Sequence, residues 1–448
     1  MNNILILGAG RSSTALIKYV LARAEENNWR VIVADADPQL AAKKVGHHPN
    51  GQGIWLDVMK VNDRRQLIGR ADLVVSLLPA HLHLEVAYDC VALKKHFITA
   101  SYVSKDIYKV VDEFRNNELI FMGELGLDPG IDHMSAMKTI NDIKSKGGKI
   151  TAFRSNAGGL VALDCVGDNP WRYKFTWNPR NVVLAGQGTA QYLENGKFKY
   201  IPYNRLFQEY RLIEVPGFEE PFEVYANREA LLYREAYGLA GIPTIYRGTI
   251  RYRGFCDAWN ALVKIGLTDA TYPIMDSDKI SYHELMDAYL AKEGRPGASV
   301  KERIAGLLEE REFSPVMKKL DWLGLFSKKK IGLTKATPAL ILENLLLKKW
   351  KLQPQDRDII IMQHEFDYEL GGKKFRRYST LVLEGKDASD TAMARLVGLP
   401  LGIFARLVMQ GKMKAKGVHI PVQQEVYEPV LEELKSYGVA FHEREEEL

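Results

Sequence analysis

Short, continuous apolar runs that alternate with stretches of helical period dominate the first third of the chain. The runs are Ile4-Leu5-Ile6-Leu7, Val31-Ile32-Val33-Ala34, Gly53-Ile54-Trp55-Leu56-Asp57-Val58, Leu73-Val74-Val75-Ser76-Leu77-Leu78-Pro79, Phe97-Ile98-Thr99-Ala100-Ser101-Tyr102 and Leu119-Ile120-Phe121-Met122. Runs of this kind suit parallel strands, which helices cover on both faces. Between the first two, Leu16, Tyr19, Val20 and Ala24 recur at helical spacing, and the pattern fades at Glu25-Glu26-Asn27-Asn28. Six such strands with helical connections predict an α/β fold built on a doubly wound parallel sheet.

After His133 the period changes. Residues 149–155 predict a strand, Gly158-Gly159 a bend, and 171–177 an aromatic strand or turn; Thr249-Ile250-Arg251-Tyr252 and 358–366 predict further strands of a separate, antiparallel sheet. Residues 281–347 are helical in period and charge, with pauses at Gly294-Arg295-Pro296-Gly297 and Lys328-Lys329-Lys330, which predicts a small helical insert. Later helix-like stretches at 393–402, 403–409 and 430–439 have apolar faces but no strand set of their own, so they are expected to pack on the first domain. The predicted division is 1–133 completed by about 393–448, a substrate domain from 134–280 and 348–392, and an insert at 281–347.

Gly8-Ala9-Gly10-Arg11-Ser12-Ser13 follows the first strand directly and opens a helix. In that position Gly8 permits a tight turn, Gly10 lets the backbone approach a pyrophosphate, and the small Ser13 takes the third place, where helix and strand pack closely. Backbone N–H groups at the helix start then hold the phosphates of a dinucleotide. Asp35 closes the second strand 25 residues after Gly10, the place from which a carboxylate binds the adenosine ribose hydroxyls. With Asp37 two residues on, a 2′-phosphate would meet like charge, and Arg11 is the one cation in the loop to offset it, so NAD is expected over NADP. Asp57 is placed either beside the adenine or as a helix cap. Pro79, Ser101 and Tyr102 fall at carboxyl ends of strands, beside the nicotinamide end of the crevice. The Gly- and Pro-rich stretch Gly126-Leu127-Asp128-Pro129-Gly130-Ile131-Asp132-His133 then sets three titratable side chains at the end of a buried strand.

Composition narrows the classes. The 448 residues exceed one ordinary core, and an apolar share of 46% is that of a globular protein. A net charge of +5 with scattered cations does not predict nucleic-acid binding, whereas it suits an anionic small molecule. Cys90, Cys165 and Cys256 stand far apart without a CxxC spacing, and neither His47-His48 nor His81-x-His83 has a third ligand at a convincing spacing, so no disulfide framework and no metal are expected. A strand entered by Ile4 leaves no room for a signal peptide, and no run of 18 apolar residues follows. A cytoplasmic protein without membrane partners is expected, and a homodimer is left open.

Further motifs extend along the chain: Ser76-Leu77-Leu78-Pro79, Ala100-Ser101-Tyr102, Gly123-Glu124-Leu125 leading into the 126–133 stretch, Asn169-Pro170 with Tyr173-Lys174-Phe175-Thr176-Trp177, Asn227-Arg228, and Arg247-Gly248-Thr249-Ile250-Arg251-Tyr252. On these residues the chain resembles the glutamate-forming saccharopine dehydrogenase family, also called saccharopine reductase, over nearly its whole length. It departs from the family pattern at Asn156-Ala157 and at Val161-Ala162, where the family tends to carry Pro-Ala. The resemblance implies a Rossmann domain, an α/β substrate domain and a helical insert. It also implies oxidation of the secondary amine of saccharopine, with NAD or NADP and water, to L-glutamate and 2-aminoadipate 6-semialdehyde, or the reverse condensation, in lysine metabolism. Alternatives are a carboxynorspermidine-type or other opine-like dehydrogenase, and a dinucleotide-binding regulator without turnover.

The same resemblance extends the cofactor site from Gly8, Ala9, Gly10, Arg11, Ser12, Ser13, Asp35 and Asp57 to Leu78, Pro79, Ala100, Ser101, Leu127, Asp128 and Pro129. A tricarboxylate amine demands cations, and it implies Arg228 and Arg251, with Lys174 third, alongside Ser101, Tyr102 and Thr249. Asp128, Tyr102 and His133 are the reachable acid–base groups, unranked, with solvent and substrate positioning as the further option.

Overall fold

The computed structural model describes residues 2–290 and 297–448, so most of the pause expected at 294–297 lies outside the described residues. Two compact units are present. The first holds the described residues up to Ile150 with Tyr368–Phe375 and Leu381–Leu448; the second holds those of Thr151–Asp367 with Arg376–Thr380.

In the first unit, strands β1 (Asn2–Leu7), β2 (Trp29–Asp35), β3 (Gly51–Trp55), β4 (Leu73–Ser76), β5 (His96–Thr99) and β6 (Ile120–Met122) are joined by Gly417–His419. The order is Gly417–His419, β6, β5, β4, β1, β2, β3, and each neighbouring pair is parallel. The α/β doubly wound sheet is therefore as the apolar runs predict, with a seventh strand too short to show a pattern. Chain order reverses between β1 and β4, which opens a crevice at their carboxyl ends. Three strands stop earlier than their apolar runs. Ser76 and Thr99 explain two of these stops: their side-chain oxygens accept N–H bonds from Leu78 (3.4 Å) and Ser101 (3.2 Å), turning the backbone out of the ladder. Leu78, Pro79, Ala100, Ser101 and Tyr102 thus sit in loops at the mouth of the crevice.

Residues Leu381–Leu448 group with this unit, and the stretches 393–402 and 403–409 form a single helix, Ala392–Met409, rather than two pieces. By length and composition it could cross a membrane, yet 72% of it is buried inside the fold. It is a core helix of the unit. Gly398 and Gly402 let it approach the first helix: a Cβ on Gly398 would lie 2.5 Å from Leu16 N, and one on Gly402 2.6 Å from the Tyr19 ring. The amphipathic helix Gln424–Lys435 adds Glu433, which accepts from Tyr19 Oη (2.6 Å) and Arg406 Nη2 (2.5 Å).

The second unit is built on most of β7 (Lys149–Val161), on β8 (Ala190–Glu194), β9 (Lys197–Ile201), β10 (Arg211–Ile213), β11 (Phe222–Ala226) and β12 (Thr244–Arg251), on most of β13 (Asp358–Leu370), and on the Arg376–Thr380 part of β14 (Lys373–Glu384). Its main path runs β10, β11, β12, β7, β13, β14, and β7 and β12 are parallel, so the sheet is mixed rather than antiparallel. The long connection between β7 and β12 is the crossover a parallel pair requires. Gly158-Gly159 lies inside β7 instead of forming a bend, because a Cβ on Gly158 would stand 2.5 Å from Ile250 O of the neighbouring strand. Residues 171–177 form loop, not strand.

Helices at Tyr282–Ala288, Val300–Leu308, Pro315–Leu323 and Pro338–Lys349 begin where side chains cap them. Ser281 with Glu284 and Ser299 with Glu302 make capping boxes, while Ser314 and Thr337 cap ahead of prolines. Leu285, Ile304, Leu320 and Leu342 share one apolar cluster with Trp171, Tyr225 and Trp259. The helical segment is thus continuous with the core of the second unit and does not stand as a module of its own.

Candidate active site

In the nucleotide loop Gly8 has φ +100°, and a Cβ there would press on Leu77 O at 3.2 Å, so the tight turn requires glycine. Gly10 is exposed with open space where a Cβ would be, which leaves its backbone approachable. Ser13, fully buried, takes the third place and donates from Oγ to Gly10 O (2.9 Å). Arg11 and Ser12 lie in the single 3₁₀ turn that leads into helix Thr14–Leu21. Asp35 holds the loop from the side: Oδ2 accepts Ala9 N–H (2.6 Å) and Oδ1 accepts Asp37 N–H (2.9 Å). Asp37 in turn caps the next helix through Gln39 and Leu40 N–H. Asp57 accepts Met59 N–H at 3.0 Å, the turn-capping alternative for this residue. These groups fit a dinucleotide: a glycine turn that opens a helix, an unobstructed Gly10 and a carboxylate at the end of the second strand.

Sequence reasoning missed Trp55. As part of an apolar run it reads as core, yet it ends the edge strand β3 in register with Asp35, half of it is exposed, and Lys60 Nζ stands 4.9 Å from the indole centroid. The signal available was that β3 carries two glycines and no continuous branched apolar run, as an edge strand does.

The loops after β5 and β6 meet at one point. Tyr102 Oη donates to Asp128 Oδ1 at 3.2 Å, and both side chains are half-buried. The Asp128 turn is closed by Gly126 N–H to Pro129 O (2.9 Å), Ile131 N–H to Gly126 O (2.9 Å) and Asp132 N–H to Leu127 O (3.1 Å), and it contains a cis Asp128–Pro129 bond. Leu127 and Pro129 are buried inside this turn. His133 does not fit the acid–base role held open for it. Its side chain has no exposure, Nε2 donates to Glu124 Oε2 (2.8 Å), and Nδ1 lies 3.6 Å from Asp132 Oδ2.

In the second unit Arg228 is exposed at the end of β11 in a left-handed conformation, φ +47°, with its carbonyl accepting Gln191 N–H. Thr249 is half-buried in β12, in register with Tyr225 and Ala157. Arg251 differs from the expected open carboxylate grip. It is 3% exposed and enclosed by Tyr173, Tyr225 and Phe255, with its Cζ 5.1–5.7 Å from their ring centroids. Nη1 donates to Ile250 O (2.9 Å) and Nη2 to Tyr225 Oη (3.3 Å), while Nε has no hydrogen-bond partner among the described residues. Burial pushes the Tyr173 and Tyr225 phenols up, and the Arg251 cation pulls them back. Glu223 faces Arg251 across the ladder, but its oxygens are taken by Gly254 N–H (2.5 Å) and Cys256 N–H (2.8 Å).

Lys174 leaves the list of substrate cations. Its ammonium is buried and donates to Asp356 Oδ2 and Cys165 O, both at 2.7 Å, so its charge is already neutralised. Lys174→Met is expected to cost about 3 kcal/mol of stability by leaving Asp356 buried and unpaired. Denaturant unfolding measures this, and the KM for an amine substrate should stay within about twofold of wild type.

A nucleotide loop at a sheet switch point, with a tyrosine–aspartate pair at the same carboxyl edge, defines a pyridine-dinucleotide oxidoreductase. Residues 4–122 match the saccharopine dehydrogenase NADP binding domain and residues 126–439 the saccharopine dehydrogenase C-terminal domain. The chain belongs to the saccharopine dehydrogenase family. It is 32% identical over 454 residues to saccharopine dehydrogenase [NADP(+), L-glutamate-forming] of Saccharomyces cerevisiae, covering 99% of both chains. To the alpha-aminoadipic semialdehyde synthase of Arabidopsis thaliana it is 33% identical, where it spans 99% of itself and 45%, about half, of that protein. The apo saccharopine dehydrogenase (L-Glu forming) structure from S. cerevisiae superposes with a TM-score of 0.86 at 30% identity over the full length of both. A homospermidine synthase from Legionella pneumophila, TM-score 0.54 at 11% identity, shares the fold. The domain description and the yeast protein's name both speak of NADP, whereas Asp35 predicts NAD; a pyridine dinucleotide is common ground.

Proposed function

We propose that this chain interconverts saccharopine with L-glutamate and 2-aminoadipate 6-semialdehyde. The observation that carries the reading is its 32% identity, across 99% of both chains, to the yeast L-glutamate-forming saccharopine dehydrogenase. A dinucleotide held by the Gly8 to Ser13 loop and Asp35 would supply the hydride acceptor for the carbon next to the secondary amine. Before that transfer the amine nitrogen must lose its proton, and afterwards water adds to the imine carbon and the C–N bond breaks to free glutamate. Tyr102 and Asp128 supply a hydrogen-bonded pair able to orient the nitrogen or relay its proton to solvent. Within the second unit, Arg228 is an exposed cation suited to pair with a carboxylate, and Arg251 adds positive potential from within the sheet.

Assaying saccharopine against a carboxylated polyamine tests the substrate. The reading requires a kcat/KM for saccharopine at least about 100-fold higher, because a substrate with fewer carboxylates leaves a cation such as Arg228 without its partner. Equal values would favour the opine-like alternative.

The cofactor we propose is NAD. Support comes from Asp35 and Asp37, a carboxylate pair that a 2′-phosphate would face. Opposing cations are Arg11 and Lys44, the latter donating to Thr14 Oγ1 at the start of the helix that follows the loop. The ratio of kcat/KM for NAD to that for NADP is expected to exceed about 10, a discrimination of about 1.4 kcal/mol, and Asp35→Ala should reduce it. A ratio below one would mean that the cations outweigh Asp35. A cytoplasmic setting fits the same reading, with Cys90, Cys165 and Cys256 all present as thiols.

A further inference from the structure

The Tyr102–Asp128 contact joins two loops that leave different strands, and each loop is tied to the same buried chain of ionisable groups. Val103 N–H donates to Glu124 Oε1 at 3.1 Å. Glu124 Oε2 accepts His133 Nε2–H at 2.8 Å. His133 Nδ1 stands 3.6 Å from Asp132 Oδ2, and Asp132 Oδ1 accepts Gly130 N–H at 2.5 Å. One end of the chain is therefore the residue after Tyr102, and the other lies two residues after Asp128. Glu124 also grips the first loop with its backbone, donating to Ser101 O at 2.9 Å from a left-handed conformation, φ +55°.

Glu124, His133 and Asp132 are 5%, 0% and 2% exposed, so none of them can touch a substrate. Three ionisable side chains taken out of water are costly to the fold, and apolar packing could join two loops with less penalty. What apolar packing does not supply is direction. The series is hydrogen-bonded from Val103 to Glu124, from Glu124 to His133 and from Asp132 to Gly130, and is closed by the 3.6 Å electrostatic contact between the adjacent His133 and Asp132. It constrains the spacing of its two ends, which carry the phenol and the carboxylate that meet above.

We propose that Glu124, His133 and Asp132 are positioning residues that set the distance between Tyr102 and Asp128, with Glu124 as the member common to both loops. This rests on the amine-oxidising reading of the site. Displacing one partner by about 1 Å costs a reaction on the order of 100-fold, so Glu124→Ala is expected to lower kcat by about that factor while the Kd for the dinucleotide stays within about threefold. Glu124→Gln keeps the span and an acceptor for Val103 N–H, and it should hold kcat within about fivefold of wild type.

A 3-fluorotyrosine placed at position 102 reports the contact without turnover. Its fluorine resonance should move in Glu124→Ala toward that of Asp128→Ala and stay at the wild-type position in Glu124→Gln. His133→Gln reaches Glu124 but offers nothing to Asp132; it should give an intermediate kcat and resonance, and it carries the test if Glu124→Ala does not fold. A Glu124→Ala or His133→Gln protein that melts lower yet, below its melting point, keeps both wild-type kcat and the wild-type resonance would overturn the proposal and leave the network a stabilising one only. If the wild type shows no turnover, the functional reading fails while the fluorine shifts still decide the positioning role.

Discussion

Gly130→Ala is expected to cost the first unit about 4 kcal/mol or more, while Gly10→Ala, in a motif of equal apparent importance, should cost the fold almost nothing. Gly130 has φ +145°, and a Cβ there would lie 2.1 Å from Gly126 O and 2.3 Å from Gly126 N. Those are the atoms that bond Ile131 N–H and Pro129 O, so an alanine must either break both bonds or push the Gly126 backbone off the Ala100 loop, 3.1 Å from where its own Cβ would be. Two buried backbone groups left unpaired, added to the strain, account for the magnitude. Thermal unfolding should show a midpoint lowered by about 10 °C, at about 2–4 °C per kcal/mol for units of this size. Gly10, by contrast, has φ −64° and nothing within 4 Å of the added methyl. Its alanine variant should keep the wild-type midpoint and lose about tenfold in dinucleotide affinity, because the methyl stands where the pyrophosphate approaches. Equal melting points for the two variants would show that the turn around Asp128 can relax at little cost.

The second large effect separates two arginines that look alike in the sequence. Arg228→Gln should raise the KM for saccharopine by roughly 30- to 1,000-fold, about 2 to 4 kcal/mol, with dinucleotide Kd unchanged. The melting point should stay near that of the wild type, since the Arg228 side chain is exposed. Arg251→Met should behave differently. Among the described residues no carboxylate pairs with its guanidinium, and the facing acid, Glu223, is committed to two backbone N–H groups. Replacing an uncompensated buried cation by an apolar side chain of similar length is often neutral or stabilising. The variant should therefore melt at or above the wild-type temperature while its kcat/KM for saccharopine falls by at least about tenfold, as the positive potential under the sheet is removed. A lower melting point with unchanged kinetics would instead make Arg251 a structural residue, held by Tyr173, Tyr225 and Phe255.

Where local pattern dictates structure, the sequence was legible. Runs such as Ile4 to Leu7 and Val31 to Ala34 can be stable only between two helical layers, and Gly8 with Asp35 marks the loop they frame. The Tyr102–Asp128 pairing follows from each residue standing at the carboxyl end of a strand. Less legible were features set by partners distant in sequence. Gly158 reads as a bend because a glycine pair usually makes one, and only the backbone of Ile250 shows that close strand packing is the reason. Lys174 and Arg251 both read as cations for a substrate carboxylate. Asp356, 182 residues away, decides that the first is neutralised, and the commitment of Glu223 to Gly254 and Cys256 decides that the second is not. Glu124 stood in the Gly123-Glu124-Leu125 motif without a role, because that role depends on Val103 and His133 converging on its two oxygens.

The central claim, that this chain oxidises the amine of saccharopine, is tested most directly by incubating the purified protein with saccharopine and NAD and following the reduced-nicotinamide absorbance together with released glutamate. One glutamate per reduced cofactor, with no signal when saccharopine is omitted, is the predicted result. Absence of both products with NAD and with NADP, from a protein that still binds the dinucleotide, would contradict it.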